Sequence, residues 1–236
     1  MADLGTGPWQ WAVESRCPTF CLTFTRRTTP EAVLRAYRVD PDLAALRTQA
    51  ESGGLLPRGG GGSLLRVGMA AADWVFCYES LEPEGIKPSV MARLSRGTGT
   101  ETVRVFKGSD GLRTLEHYRD GPRAESVELS AALTVRGEGP HLFSPVLRQR
   151  LDEQPEFAGR GPSVLLVGMD TVGRYVGGVL DQQALQGPLL TAFLPDADRE
   201  PLRRRPGPAR SGAAASPGRL LGVLPPRPED HDGEHG

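Results

Sequence analysis

Imidazole is the side chain best suited to moving protons near neutral pH, and two histidines, His117 and His141, lie outside the Pro- and Arg-rich C-terminal stretch of this chain. With the carboxylate of Glu116 they are the candidate catalytic set, which would serve a small hydrolase or transferase. A serine triad is not indicated, because neither histidine stands beside a sharp strand-to-helix elbow carrying serine. Glu79, Glu82 and Glu84 cluster after an apolar segment, a pattern that suits a solvated acidic loop or the recognition of a basic partner. With Trp9 and Trp11, if those are exposed, they form a candidate partner-binding surface of aromatic anchors beside acidic groups.

Metal and phosphate chemistry find weaker support. Cys17 and Cys21 are separated across Pro18 rather than paired in a Cys-x-x-Cys knuckle, and Cys77 lies in an apolar run where cysteine behaves as a small hydrophobe. No metal site and no cofactor are predicted. The glycine run Gly59 to Gly62 lacks the lysine of a phosphate loop, and Ser63 leads into Leu-Leu-Arg-Val, which has the character of a strand rather than a helix.

Positioning these groups falls to a chain of 236 residues, 38% hydrophobic and 24% charged, with a formal net charge of -1, enough for one sizeable core. The near-neutral balance predicts no nucleic-acid partner. Only Lys87 and Lys107 are lysine among 28 basic residues, a bias expected of a GC-rich genome. The N-terminus lacks the basic and apolar regions of a secretion signal, and no apolar run reaches membrane-spanning length, so a cytoplasmic protein with reduced thiols and no membrane contact is expected.

Along the chain, a short helix is expected over Trp9 to Ser15 and an alternating strand over Phe20 to Thr25. A helix follows from Pro30, opened by reciprocal hydrogen bonds between Thr28 and Glu31. Leu43, Leu46 and Ala50 mark a second core-facing helical stripe, ended by Gly53 and Gly54. Pro57 to Ser63 is a flexible loop by composition. Strands are expected around Leu65 to Met69, over Asp73 to Tyr78 with apolar residues on both faces, and over Thr102 to Phe106, Leu112 to Tyr118 and Arg123 to Val135, with a helix over Lys87 to Arg96. Helices return at Pro145 to Leu151 and Ser163 to Val176, with a short turn over Asp181 to Gln186. The close succession of strands predicts an α+β domain over residues 1–195. Its sheet is an antiparallel meander of about six strands, wet on one side and packed by helices on the other. The residues from Asp196 to Gly236, rich in Pro, Arg, Gly and Ala, are expected to form a disordered tail.

Several segments in order, the opening Trp9, Phe-Cys-Leu-Thr-Phe-Thr-Arg with Thr-Pro-Glu-Ala-Val-Leu-Arg, Trp-Val-Phe-Cys-Tyr-Glu, Ser-Arg-Gly-Thr before Val-Arg-Val-Phe, and Gly-Pro-Leu-Leu-Thr-Ala-Phe-Leu-Pro, carry a likeness to a known group. From Trp9 to Pro195 the chain resembles a group of uncharacterised actinobacterial proteins known only as a domain of unknown function. The resemblance implies no activity, cofactor or catalytic residue. The expected role is therefore a non-catalytic interaction or regulatory module that binds another protein through its surface or a sheet edge. The hydrolase or transferase and an immunity-like protein that blocks a toxin are the alternatives.

Overall fold

Phe20, Leu22 and Phe24 alternate with Cys21, Thr23 and Thr25 along β1 (Phe20–Arg26), and both sets are buried. A strand covered on both faces must lie inside a layered structure. The computed structural model, which describes residues 7–14, 17–57, 61–155, 157 and 161–199, has that form. After β1 come α1 (Pro30–Ala36), β2 (Ala45–Arg47), α2 (Gln49–Ser52), the hairpin of β3 (Gly62–Ala71) and β4 (Trp74–Leu81), and α3 (Pro88–Leu94). Four strands follow, β5 (Glu101–Lys107), β6 (Arg113–Arg119), β7 (Arg123–Glu128) and β8 (Thr134–Arg136). The chain continues through α4 (Ser144–Glu153), α5 (Gly161–Val176), α6 (Gln182–Gln186) and β9 (Leu189–Pro195). The strands form one antiparallel sheet in the order β2-β9-β3-β4-β1-β5-β6-β7-β8.

The α+β class and the antiparallel sheet agree with the sequence pattern; the strand count does not, being nine rather than about six. Three differences account for this. The segment expected as a second helix contains β2 instead, with Leu43 and Leu46 strongly exposed rather than core-facing. Leu189 to Pro195 is a strand that joins β2 to β3, pairing Leu46 with Leu190 and Leu65 with Ala192. The single strand expected over Arg123 to Val135 folds back on itself, so that Val127 faces Val135 across β7 and β8.

Helices cover both faces, not one. On the first face Phe20, Leu22 and Phe24 join Trp74, Phe76 and Tyr78 of β4 and Val103 and Val105 of β5 in a core closed by α4, α5 and a 3-10 turn over Gln10–Val13. On the second, Val33 and Leu34 of α1 and Val90, Met91 and Leu94 of α3 pack on Leu65, Val67, Val75 and Cys77. The side expected to be wet is dry over the central strands because α1 and α3 come from crossovers that leave and re-enter the sheet there.

Local signals set the helix starts. Thr29, rather than Thr28, caps α1, its hydroxyl accepting from the Ala32 amide at 3.2 Å with Pro30 in the first turn. A reciprocal capping box does exist, at Thr48 and Glu51 of α2. The fully buried carboxylate of Glu125 on β7 accepts from the amides of Leu142, Phe143 and Ser144, each at 2.8 Å, and so anchors the start of α4.

Gly62 and Ser63, the end of the expected glycine loop, already belong to β3; residues 58–60 lie outside the described residues. Within the expected tail, Asp196–Asp198 form a 3-10 turn and Arg199 is held by ion pairs, while its remainder, from residue 200, lies outside the described residues. No helix among the described residues is long and apolar enough to cross a membrane.

Candidate functional site

Side chains on adjacent positions of a strand point to opposite faces, and this parity separates the candidate catalytic residues. His117 on β6 faces α4 and α5, buried, with Nε2 2.6 Å from Glu101 Oε1 and its ring edge-on to Phe143 at 5.7 Å. Glu101 also accepts from the Tyr175 hydroxyl at 2.6 Å. Burial pushes the Glu101 carboxyl up, but the hydrogen bonds from His117 and Tyr175 outweigh it and hold the group below its usual range. Glu116 points to the other face. There it pairs with Arg104 at 2.6 Å and accepts from Tyr118 at 2.6 Å, Arg123 at 3.1 Å and Ser126 at 3.3 Å. His141 is exposed, with Nε2 3.3 Å from the Gly137 carbonyl. The sheet thus lies between Glu116 and His117, and none of the described hydrogen bonds joins the two histidines.

The expected partner surface is likewise dispersed. Trp9 and Trp11 are core residues, 2% and 3% exposed. Trp11 packs on Phe20 at 5.2 Å and Tyr78 at 5.7 Å and donates to the Leu180 carbonyl at 2.9 Å. Lys107 fixes the turn that carries them by donating to the carbonyls of Ala12 and Cys17. Glu79 and Glu84 are buried too, and only Glu82 reaches solvent, where it is ion-paired with Arg199. Arg199 also engages Glu84 at 2.7 Å, and Lys87 pairs with Glu84. The acidic loop is therefore internally neutralised and offers no free carboxylate cluster to a partner.

Glu79 is the centre of a polar network rather than a docking group. Its carboxylate accepts from the Tyr37 hydroxyl at 2.7 Å, the Ser63 hydroxyl at 3.2 Å and the amides of Glu84 at 2.7 Å and Gly85 at 3.1 Å. Burial raises its pKa against the opposing pull of those donors. Arg104 donates to the Gly85 carbonyl at 2.8 Å, linking this cluster to Glu116. Cys21 lies in the same cluster, its thiol pushed up by burial, so it is protonated and inert. Among the described residues no group of three or more His, Cys, Asp or Glu is placed to hold a metal ion.

Two concave surfaces were not anticipated from the sequence. A groove of about 250 Å³ runs between α4 and α5, lined by Leu142, Phe143, Val146, Arg150, Arg174 and Tyr175. Leu142, Val146 and Tyr175 are 38%, 43% and 38% exposed, so three of the molecule's exposed large apolar side chains converge on it. Asp170 pairs with both arginines, at 2.6 Å to Arg150 and 2.9 Å to Arg174. The second is a cleft of about 540 Å³ beside the turn that carries Trp11, floored by Arg66 and Tyr78, with Leu64, Leu185 and Gln182 in its walls. Arg66 is 2% exposed and donates to the carbonyls of Leu185, Arg47 (2.9 Å) and Gly187 (2.7 Å), while its Nε has no partner. A sequence signal for Arg66 existed: a lone charge between Leu65 and Val67 in a strand whose other residues are apolar or small. The groove had none, since its residues come from two helices and read as ordinary amphipathic faces.

A family model described as a family of unknown function, DUF6461, matches residues 9–151. Comparison with curated proteins and with solved structures found no match.

Proposed function

The chain belongs to the DUF6461 family of unknown function, and from that premise we propose that it is a non-catalytic binding module that engages another protein through the groove between α4 and α5. The observation that carries this is the convergence of Leu142, Val146 and Tyr175 on one concave surface. Scattered apolar residues are ordinary on a protein surface, but a concave apolar patch with an arginine rim has the composition of an interface core. Tyr175 is held rigid by its bond to Glu101 and its edge contacts with Trp74 at 5.9 Å and Phe143 at 5.2 Å, so it presents an aromatic anchor at little entropic cost. The exposed Arg174 gives the rim positive charge, which suits a partner that presents an apolar side chain flanked by carboxylates.

A hydrolase or transferase built on His117 and His141 would need both imidazoles at one cavity. Neither cleft described above is lined by histidine, which favours the binding role. An immunity-like role differs only in the partner, a toxin in place of a regulatory target. The cytoplasm is the compartment we propose, supported by three free cysteines, and an actinobacterial source is in keeping with the arginine-dominated composition.

The test is affinity purification of the full chain beside Val146→Glu, which places a carboxylate in the groove at an exposed helical position. A partner captured by the wild-type protein and lost by the variant, with the melting temperature unchanged, is the expected result. Equal capture by both would remove the groove from the interface.

A further inference from the structure

Among the described residues, no counter-ion balances the charge of Arg66. Moving a guanidinium out of water is costly unless a counter-charge or a full set of dipoles replaces the solvent. Three backbone carbonyls supply dipoles, yet among the described residues no carboxylate forms an ion pair with Arg66, and Nε donates to nothing. Directly across the β3 and β4 register stands Tyr78, 9% exposed. Its hydroxyl has one weak contact, the Cys17 thiol at 4.0 Å. Burial keeps this phenol protonated, so it can donate. Both groups floor the 540 Å³ cleft, a size within the roughly 300–1,000 Å³ usual for small-molecule sites.

The remaining lining divides by chemistry. Trp11, Leu64 and Leu185 make apolar walls, and Gln49, Gln182 and Gln186 place neutral amides around the space; among the described residues no acidic side chain lines it. Leu81, at the end of β4, also lines the cleft and holds a left-handed backbone with φ 71°, a conformation that a leucine adopts only when its surroundings impose it.

We propose that this cleft binds a small monoanionic carboxylate with an apolar body, its carboxylate set against Arg66 and Tyr78 and its hydrocarbon part against Trp11 and Leu64. One buried cation matches one negative charge. A phosphate dianion would bring a second charge that the single guanidinium of Arg66 leaves uncompensated, so carboxylates are favoured over phosphate monoesters. The site is separate from the groove between α4 and α5, and it stands or falls independently of partner binding there.

The test titrates phenylacetate, isovalerate and hexanoate into the full chain, read by calorimetry and by tryptophan fluorescence, since Trp11 forms a wall. At least one should bind saturably. Phenylacetamide, which keeps the shape and loses the charge, should bind about tenfold or more weaker than phenylacetate, as expected for losing a charge-assisted hydrogen bond. Phenyl phosphate should bind more weakly than phenylacetate. Gln182→Glu puts a carboxylate in the wall within the first turn of α6, where the helix tolerates it, and should lower affinity several-fold without lowering the melting temperature. Equal affinity for acid and amide, indifference to Gln182→Glu, or no saturation with any of the three carboxylates up to about 10 mM would overturn the proposal.

Discussion

Gly85 faces the Glu79 carboxylate so closely that a methyl group on its α-carbon would lie 2.3 Å from Oε1, 2.8 Å from the Cys21 sulfur and 2.9 Å from the Tyr37 hydroxyl. The loop after β4 thus closes over a buried carboxyl group by bringing backbone, not side chain, against it. Gly85→Ala is expected to destabilise the domain by about 1–3 kcal/mol through overpacking. Gly54→Ala, where the added carbon would meet nothing within 4 Å, is expected to change stability by no more than about 0.5 kcal/mol. Denaturant unfolding of the two variants beside wild type measures both; equal losses would show that the contact at Glu79 carries no special cost.

Glu79 also predicts a pH dependence. Its pKa in the folded protein is raised above the ordinary carboxylate value, chiefly by burial, so folding favours the protonated form. Its contribution is therefore complete below the ordinary carboxylate value and is lost as pH rises through the raised folded one. Against a Glu79→Gln reference, which cannot ionise, the relative stability of the wild type should decline across that window. Urea unfolding over a pH series reads the difference, and two parallel profiles would contradict it.

Arg104 and Glu116 make a buried ion pair at 2.6 Å. Arg104→Met leaves a buried carboxylate with Tyr118, Ser126 and the half-exposed Arg123 as its partners, and should cost about 3–5 kcal/mol. Adding Glu116→Leu should cost less than the two single changes summed, because the second substitution removes the charge that the first stranded. A double-mutant cycle measures this directly, and strict additivity would deny the pair its coupling.

Tyr175→Phe removes one of two side-chain donors to Glu101 and should cost about 1 kcal/mol at about pH 7. Since the folded pKa of Glu101 is depressed, the stabilisation it represents is present above the unfolded value and is lost as pH falls through the folded one. The gap between variant and wild type should therefore narrow in acid, the reverse of the trend at Glu79. Unfolding at both pH values decides it; a gap that widens in acid would be the wrong sign.

The sequence made some of this legible and hid the rest for identifiable reasons. Alternation disclosed β1, and the two-sided apolar run of Trp74 to Tyr78 disclosed a central strand. Pro30 marked the start of α1. β2 was hidden because three residues are too few to show a period, and its exposed Leu46 imitated a helical stripe. The turn between β7 and β8 was hidden because Ser130, Ala131 and Ala132 continue the alternation without Gly or Pro, while Ser130 closes the turn by bonding the Ala132 carbonyl at 2.8 Å. At the candidate sites, composition marked Glu79 and Glu84 as a surface loop, since solvated carboxylates are the rule; their burial depends on Tyr37, Ser63 and Arg199 arriving from distant segments.

β9 is the last strand among the described residues and the second in the sheet, wedged between β2 and β3. It also lies beyond residue 151, where the match to the family model ends. During synthesis β3 therefore waits with one edge unpaired while more than half of the chain is still to be made. Strand pairing of this long range is slow to form, and an open edge is prone to the wrong partner in the meantime. A chain cut at the boundary of the matched segment would leave that edge open and take α5 out of the first core, so the stretch by which the family is recognised is shorter than the stretch that builds this sheet and its packing.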